Sequence, residues 1–227
     1  MGVIFSRVLS ILIVCCLLFS VSIFIREYRK LPQTIRWFGW FVVVSCITEA
    51  GSFLLARLEI SNLFFLHFYT PLKIIFLGLF FSPVFRKEKR DSSQTLYLFI
   101  TLSVLFSILN SLFIQDFNSI NSYAYTVANL LVIVCGAIAF FRLTNPDGLD
   151  TPYWQFIRIV LPALFIYECA SLFIFMFGPY LEVIEISKQR HLWVANAFLN
   201  MILQFFIIRA FLQTRSNTIE TAASSQT

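Results

Sequence analysis

Glu49, Glu168 and Lys73 stand inside long apolar runs, where ionisable side chains are rare. An exposed charge at the centre of a bilayer costs about 2.5–3.5 kcal/mol on the mildest scale. Such residues must pair with one another, hold a proton or meet a ligand. Two acids and one lysine leave one carboxyl without an obvious partner. That carboxyl would be protonated, paired with His67, or open to a cation. Each group also belongs to a polar stripe at helical spacing: Ser45, Glu49 and Ser52; Asn62, Tyr69 and Lys73; Ser122, Thr126 and Asn129; Glu168 and Ser171; Trp193, Asn196, Asn200 and Gln204. Ser103, Ser107 and Asn110 make a further stripe.

The elements that position these stripes are apolar runs at 3–25, 37–56, 62–85, 95–114, 122–141, 155–178 and 192–212. Each reaches the roughly 20 residues that a helix needs to cross about 30 Å of hydrocarbon. Counted inward at about 1.5 Å per residue, Glu49, Lys73, Asn129, Glu168 and Asn200 all lie roughly 18–20 Å from one end of their helices. His67 and Asn196 lie about a turn farther from that end. The expected polar interior therefore comprises Glu49, Lys73 and Glu168 as charged groups, with His67, Tyr69, Asn129, Asn196 and Asn200 as hydrogen-bonding groups. The alternative is a purely structural layer, in which Lys73 pairs with one glutamate and the amides and hydroxyls bond across helices. His67 has two readings of its own, a proton sensor or a bond to a neighbouring helix.

Read as seven spans, the chain places twelve of its 17 Lys and Arg on one side. These are Arg26, Arg29, Lys30, Arg36, Arg86, Lys87, Lys89, Arg90, Arg142, Arg158, Arg209 and Arg215; the other side carries Arg7, Arg57, Lys188 and Arg190. Positive charge marks the cytoplasmic face, so the amino terminus is expected outside and the carboxyl terminus inside. The fold class is thus an all-α integral membrane protein of seven transmembrane helices. One bundle is expected over 1–215, with a disordered cytoplasmic tail at 216–227. The expected location is the plasma or inner membrane, and the lipid bilayer is the first partner. Tyr28, Trp37, Trp40, Tyr153 and Trp154 gather at the expected inner interface, as aromatic belts do.

With 59% hydrophobic and 13% charged residues, little chain remains for a soluble domain. The net charge of +5 follows from the inside bias and attraction to anionic lipid, so nucleic acid is not an expected partner. The first span lacks a small-x-small cleavage site and is expected to remain as a helix. Met1-Gly2 with Ser6 fits the loose myristoylation pattern by chance, because an outside amino terminus is beyond the transferase. Cys15, Cys16, Cys46, Cys135 and Cys169 lie within spans without metal-type spacing and read as small packing residues. No cofactor or metal is expected.

A parallel 3+1+3 internal repeat is suggested by two short matches. Ile13-Val14-Cys15 recurs as Ile133-Val134-Cys135, and Glu49-Ala50-Gly51-Ser52 resembles Glu168-Cys169-Ala170-Ser171. Chains rich in Ile, Val and Phe also produce short matches by composition. The plan resembles, in topology alone, the small sugar-transporting seven-helix proteins and the opsin-like bundles. Pro32-Gln33 lies in an expected loop rather than a span, and 192–212 contains no lysine for a retinal Schiff base. Neither family is assigned.

No Gly-rich phosphate loop, Gly-x-Ser-x-Gly elbow or His-Glu-x-x-His helix occurs, and the chain is not expected to be an enzyme. An intramembrane hydrolase using Glu49 and Glu168 as an acid pair is the catalytic alternative. Two functions follow from the polar interior. A receptor-like or sensory module would bind a small polar ligand or proton and act through a cytoplasmic partner. A small solute transporter, coupled to protons through the spare glutamate, would expose the same midplane site to each side in turn. Pro71 and Pro162 would kink their helices in either case. Oligomeric state is not legible.

Overall fold

The structure is a computed structural model that describes residues 2–86, 93–144, 151–177 and 186–224, with side chains at 8–86, 93–144, 151–177 and 191–215. The expected basic loop beyond Arg86, the side chains of Arg7, Lys188 and Arg190, and those of the tail at 216–227 lie outside these residues. Among the described residues, eight α-helices form: α1 (Gly2–Glu27), α2 (Gln33–Arg57), α3 (Phe64–Phe80), α4 (Ser82–Phe85), α5 (Ser93–Leu109), α6 (Ser122–Leu143), α7 (Pro152–Met176) and α8 (Ile186–Ser224). A π-helical turn, Asn110–Ile114, continues α5.

Among the described residues, six helical stretches are long and apolar enough to cross a membrane: Val8–Glu27, Gln33–Arg57, Ser93–Ile114, Ser122–Leu143, Pro152–Met176 and His191–Arg215. Seven were expected. The third, 62–85, divides into α3 and α4 at Phe81, and α3 alone has 17 residues. That length reaches only about 26 Å at 1.5 Å per residue. Pro83 explains where the break falls. It has no N–H to give a continuing helix, and the first turn of a new helix does not use one. Pro71 and Pro162, by contrast, lie inside continuous helices.

Helix ends follow their local sequence. Pro32 precedes α2 with φ −55° and ψ 147°, and its carbonyl accepts from the Arg36 N–H at 3.0 Å. At the other end of α2, Glu59 adopts φ 57° and the Ile60 N–H reaches back to the Leu55 carbonyl at 3.0 Å. This is a left-handed helix stop filled by a residue other than glycine. Thr151 and Pro152 open α7 in the same manner as Pro32 opens α2, with extended backbone before the first turn.

The packing runs as a ring: α1 on α2, α2 on α3, α3 on α6, α6 on α7, α7 on α8, and α8 back on α1. α5 lies outside the ring against α3 and α6, and α2 also meets α7 across it. The peripheral place of α5 matches its long exposed apolar face, including Leu98, Phe99, Leu102 and Leu105. At one end, the buried Glu27 carboxyl joins Lys30 at 3.2 Å and Arg215 at 3.4 Å, so the end of α1 lies beside α8 at Arg215. Arg142 donates to the Arg86 carbonyl at 3.0 Å at the end of α6.

Inside that end, Phe38, Phe80, Phe156 and Phe211 pack on one another from α2, α3, α7 and α8. All four are essentially unexposed. Phe24 joins them through Phe211, and Gly39 makes its seat, since a Cβ there would fall within the Phe24 ring. Gly136 is under less pressure, because a Cβ there would stand 3.1 Å from the Phe165 ring. Gly39→Ala is therefore expected to lower stability by about 1–3 kcal/mol. Gly136→Ala should cost less. Denaturation midpoints of the purified variants in detergent check the order.

Candidate functional site

The site begins with side chains one helical turn apart that share a face. Tyr69 and Lys73 do so on α3, Tyr125 and Asn129 on α6, and Asn196, Asn200 and Gln204 on α8. Lys73 has no exposed surface, and its Nζ donates to Glu168 Oε2 at 2.6 Å and to Asn129 Oδ1 at 2.8 Å. The same ammonium lies 4.5 Å from the centroid of the Tyr125 ring. Glu168 and Asn129 are equally buried. Lys73 is thus neutralised by a short charge-assisted bond and faced by an aromatic quadrupole. One side of this cluster is unsaturated: Glu168 Oε1 and Asn129 Nδ2 are buried without a hydrogen-bond partner.

Of the two acids, Glu168 takes the lysine and Glu49 does not. Glu49 is half-buried, and its Oε1 accepts from Asn200 Nδ2 at 3.3 Å. Asn200 Oδ1 in turn accepts from Gln204 Nε2 at 3.0 Å. The two carboxyl bonds are laid out alike. The Lys73–Glu168 bond runs from α3 to α7, the two ring neighbours of α6. The Asn200–Glu49 bond runs from α8 to α2, the two ring neighbours of α1.

Glu49 borders two spaces. The inner one is a cavity of ≈ 90 Å³ whose polar wall consists of Ser45, Thr48, Glu49, Tyr69, Tyr125, Tyr167, Asn196, Asn200 and Gln204. The outer one is a recess of ≈ 290 Å³ lined by Ser10, Glu49, Ser52, Phe53, Ala56, Arg57 and Asn62. The recess reaches the protein surface at Arg57, which is exposed. On the opposite side of the cavity, toward Arg36, the bundle is filled by the Phe38–Phe80–Phe156–Phe211 cluster.

Aromatic stacking shapes the cavity wall. The Tyr69 and Tyr125 rings are nearly parallel at 6.2 Å, and Tyr125 lies on Phe175 at 3.8 Å. Phe175 meets Trp193 edge-on at 5.8 Å. The Tyr69 hydroxyl lies 3.4 Å from Ser45 Oγ, and Ser171 Oγ donates to Asn196 Oδ1 at 2.9 Å.

Of the eight residues expected from sequence, Glu49, Tyr69, Asn196 and Asn200 line the cavity. Lys73, Asn129 and Glu168 form the adjoining ion-pair cluster. His67 goes elsewhere. Its Nδ1 lies 2.8 Å from Ser111 Oγ, its Nε2 3.3 Å from the Ser119 carbonyl, and its ring against Phe117. It belongs with a second polar knot where α5 ends, in which Asn110 Nδ2 donates to Gln115 Oε1 and Asn121 Oδ1 at 2.9 and 2.8 Å.

Sequence reasoning left out Tyr125 and Tyr167 as wall residues, while Gln204 had its place in the stripe with Asn196 and Asn200. A signal for Tyr125 was present: it precedes Asn129 by one turn as Tyr69 precedes Lys73. Among the described residues, no three His, Cys, Asp or Glu side chains gather as metal ligands.

The ion pair generates a test. Lys73→Met leaves a buried, unpaired carboxylate and is expected to cost about 3–5 kcal/mol. Adding Glu168→Leu to it should recover most of that loss, because an apolar pair replaces the stranded charge. Unfolding of the two single variants and the double variant in detergent measures the coupling. No protein-family model, curated protein or solved structure matches this chain.

Proposed function

We propose that the chain is a seven-span membrane protein whose centre binds a small polar ligand, and that it acts as a receptor-like sensory module through a cytoplasmic partner. In this reading α3 and α4 together make the third crossing, the amino terminus is outside and the carboxyl terminus is cytoplasmic. The observation that carries it is Glu49. This carboxyl is left over by the Lys73–Glu168 pair and stands between a surface-reaching recess and an inner polar cavity. A layer serving only to hold helices together has no need of a second carboxyl beside open space.

The shape of the interior favours sensing. The recess approaches Glu49 from the Arg57 end, the expected outside, and the phenylalanine cluster fills the other side. A ligand entering from outside would meet a closed floor. Its contacts with Glu49 and Asn200 would bear on the packing of α2 and α8, and α8 carries that change toward Arg215 and the chain beyond it.

Transport is the second reading, and the ring order favours it. Mapping α1, α2 and α3 onto α6, α7 and α8 turns every ring neighbour into another ring neighbour. It also places Glu49 on the helix corresponding to that of Glu168. Two such halves about a central site are the plan of a parallel-repeat transporter.

Cysteine accessibility in membranes separates the readings. Single cysteines replace Ser52 and Asn200 in a chain whose five native cysteines have been removed. An impermeant thiol reagent is expected to modify Ser52→Cys readily and Asn200→Cys slowly, both from the amino-terminal side alone. Modification of Asn200→Cys from both sides would replace sensing with transport. No modification from either side would return the polar layer to a structural role.

A further inference from the structure

The cavity wall has a chemical character that the central-site reading does not by itself require. We propose that its ligand is a small monovalent cation of the ammonium type, such as a primary or methylated amine of a few heavy atoms. This rests on the central-site reading and specifies it.

Charge is the first argument. Among the described residues, Glu49 is the one carboxyl on the cavity wall, and no lysine, arginine or histidine joins it there. Lys73 lies behind Tyr125, already bound to Glu168. The two carboxyls receive their bonds in corresponding ways, each from a helix two places along the ring. One bond brings an ammonium and the other brings only an amide. A cationic ligand would give Glu49 the charge that Lys73 gives Glu168.

Hydrogen-bonding capacity is the second. Gln204 Nε2 donates to Asn200, and Asn200 Nδ2 donates to Glu49. The chain of amides thus directs N–H groups at one another and leaves Gln204 Oε1 as a buried acceptor with no partner. Gln204 itself is 3% exposed and lines the cavity. A ligand fitting that atom must donate, as an ammonium does and a carboxylate cannot.

Aromatic lining is the third. Tyr69, Tyr125 and Tyr167 all line the cavity, and an ammonium is attracted to such rings as well as to a carboxylate. The protein already seats one ammonium on such a ring, Lys73 on Tyr125 at 4.5 Å.

Size and access are consistent with this. A space of ≈ 90 Å³ admits a guest of a few heavy atoms such as methylammonium. Arg57 at the mouth of the recess does not forbid a cation. It is exposed at the recess mouth, eight residues from Glu49 along α2, where solvent screens its charge.

The test uses the full chain in lipid nanodiscs at neutral pH, with thermal unfolding followed as a function of added solute. Methylammonium chloride is the probe; sodium chloride, sodium acetate and formamide at equal concentration are the comparisons. A saturable rise in unfolding temperature is expected with methylammonium alone. Glu49→Gln should weaken its half-saturation at least tenfold. Gln204→Leu should weaken it severalfold, which keeps the test open if one variant misfolds. An equal response to sodium chloride would overturn the ammonium assignment in favour of an inorganic cation. A saturable response to formamide, or to sodium acetate beyond that to sodium chloride, with none to methylammonium, would overturn the cation and leave the central site standing. No saturable response to any solute would overturn both. Methylammonium stabilisation that persists unchanged in both variants would place the binding elsewhere and overturn the proposal.

Discussion

An ammonium group with no access to solvent has to be neutralised by the chain that buries it, and Lys73 imposes that demand on three helices. Its charge is met by Glu168 on α7, its hydrogen bonding by Asn129 on α6, and its remaining face by the Tyr125 ring. The bond joins α3 to α7 although α6 stands between them in the ring. Such reach requires α6 to be narrow. Its buried positions include Ala124, Ala128, Cys135, Gly136 and Ala139, small side chains that let neighbouring helices come close. The polar cluster and the small-residue face of α6 are therefore two parts of one packing solution.

Neutralising Lys73 also decides the character of what remains. A paired and wholly enclosed Glu168 is committed to holding helices, since removing its partner would strand a charge in a low-dielectric interior. Glu49 carries no such commitment. Its partner is a neutral amide, its surface is half-buried, and it borders both internal spaces. Two carboxyls that look equivalent along the chain are divided by their neighbours into one paired with an ammonium and one bonded to a neutral amide.

How far this was legible in the sequence follows from what a linear pattern can encode. Depth along a helix is a matter of counting, so the level shared by Glu49, Lys73, Asn129, Glu168 and Asn200 stood out against apolar surroundings. Direction around the helix axis is set by packing, and counting does not supply it. Hence His67, placed a turn or so farther out by the same count, turned out to bond Ser111 on the π-helical end of α5. Which glutamate takes Lys73 was undetermined for the same reason. Tyr125 and Tyr167 were hidden because aromatic residues in an apolar run read equally well as packing. The break at Phe81 was hidden because the apolar run continues through it, and hydropathy does not register the missing donor of Pro83.

The two inter-helix bonds differ in strength, and that difference bears on how the bundle could respond to a ligand. Lys73–Glu168 is a charge-assisted contact at 2.6 Å between enclosed groups, whereas Asn200–Glu49 is an amide contact at 3.3 Å beside open space. A guest at Glu49 would share a carboxyl whose Oε1 already accepts from Asn200, and would leave the α3–α7 tie untouched. The seam able to shift is therefore the one between α2 and α8, across α1. Phe38 and Phe211, on those same two helices, touch in the aromatic floor, and Arg215 farther along α8 grips Glu27 at the end of α1. A small change at the carboxyl is thus mechanically continuous with the floor that would have to part for passage and with the helix end that would carry a signal. What distinguishes a sensor from a transporter in this architecture is whether the seam yields only as far as the Arg215–Glu27 contact or also parts the phenylalanines.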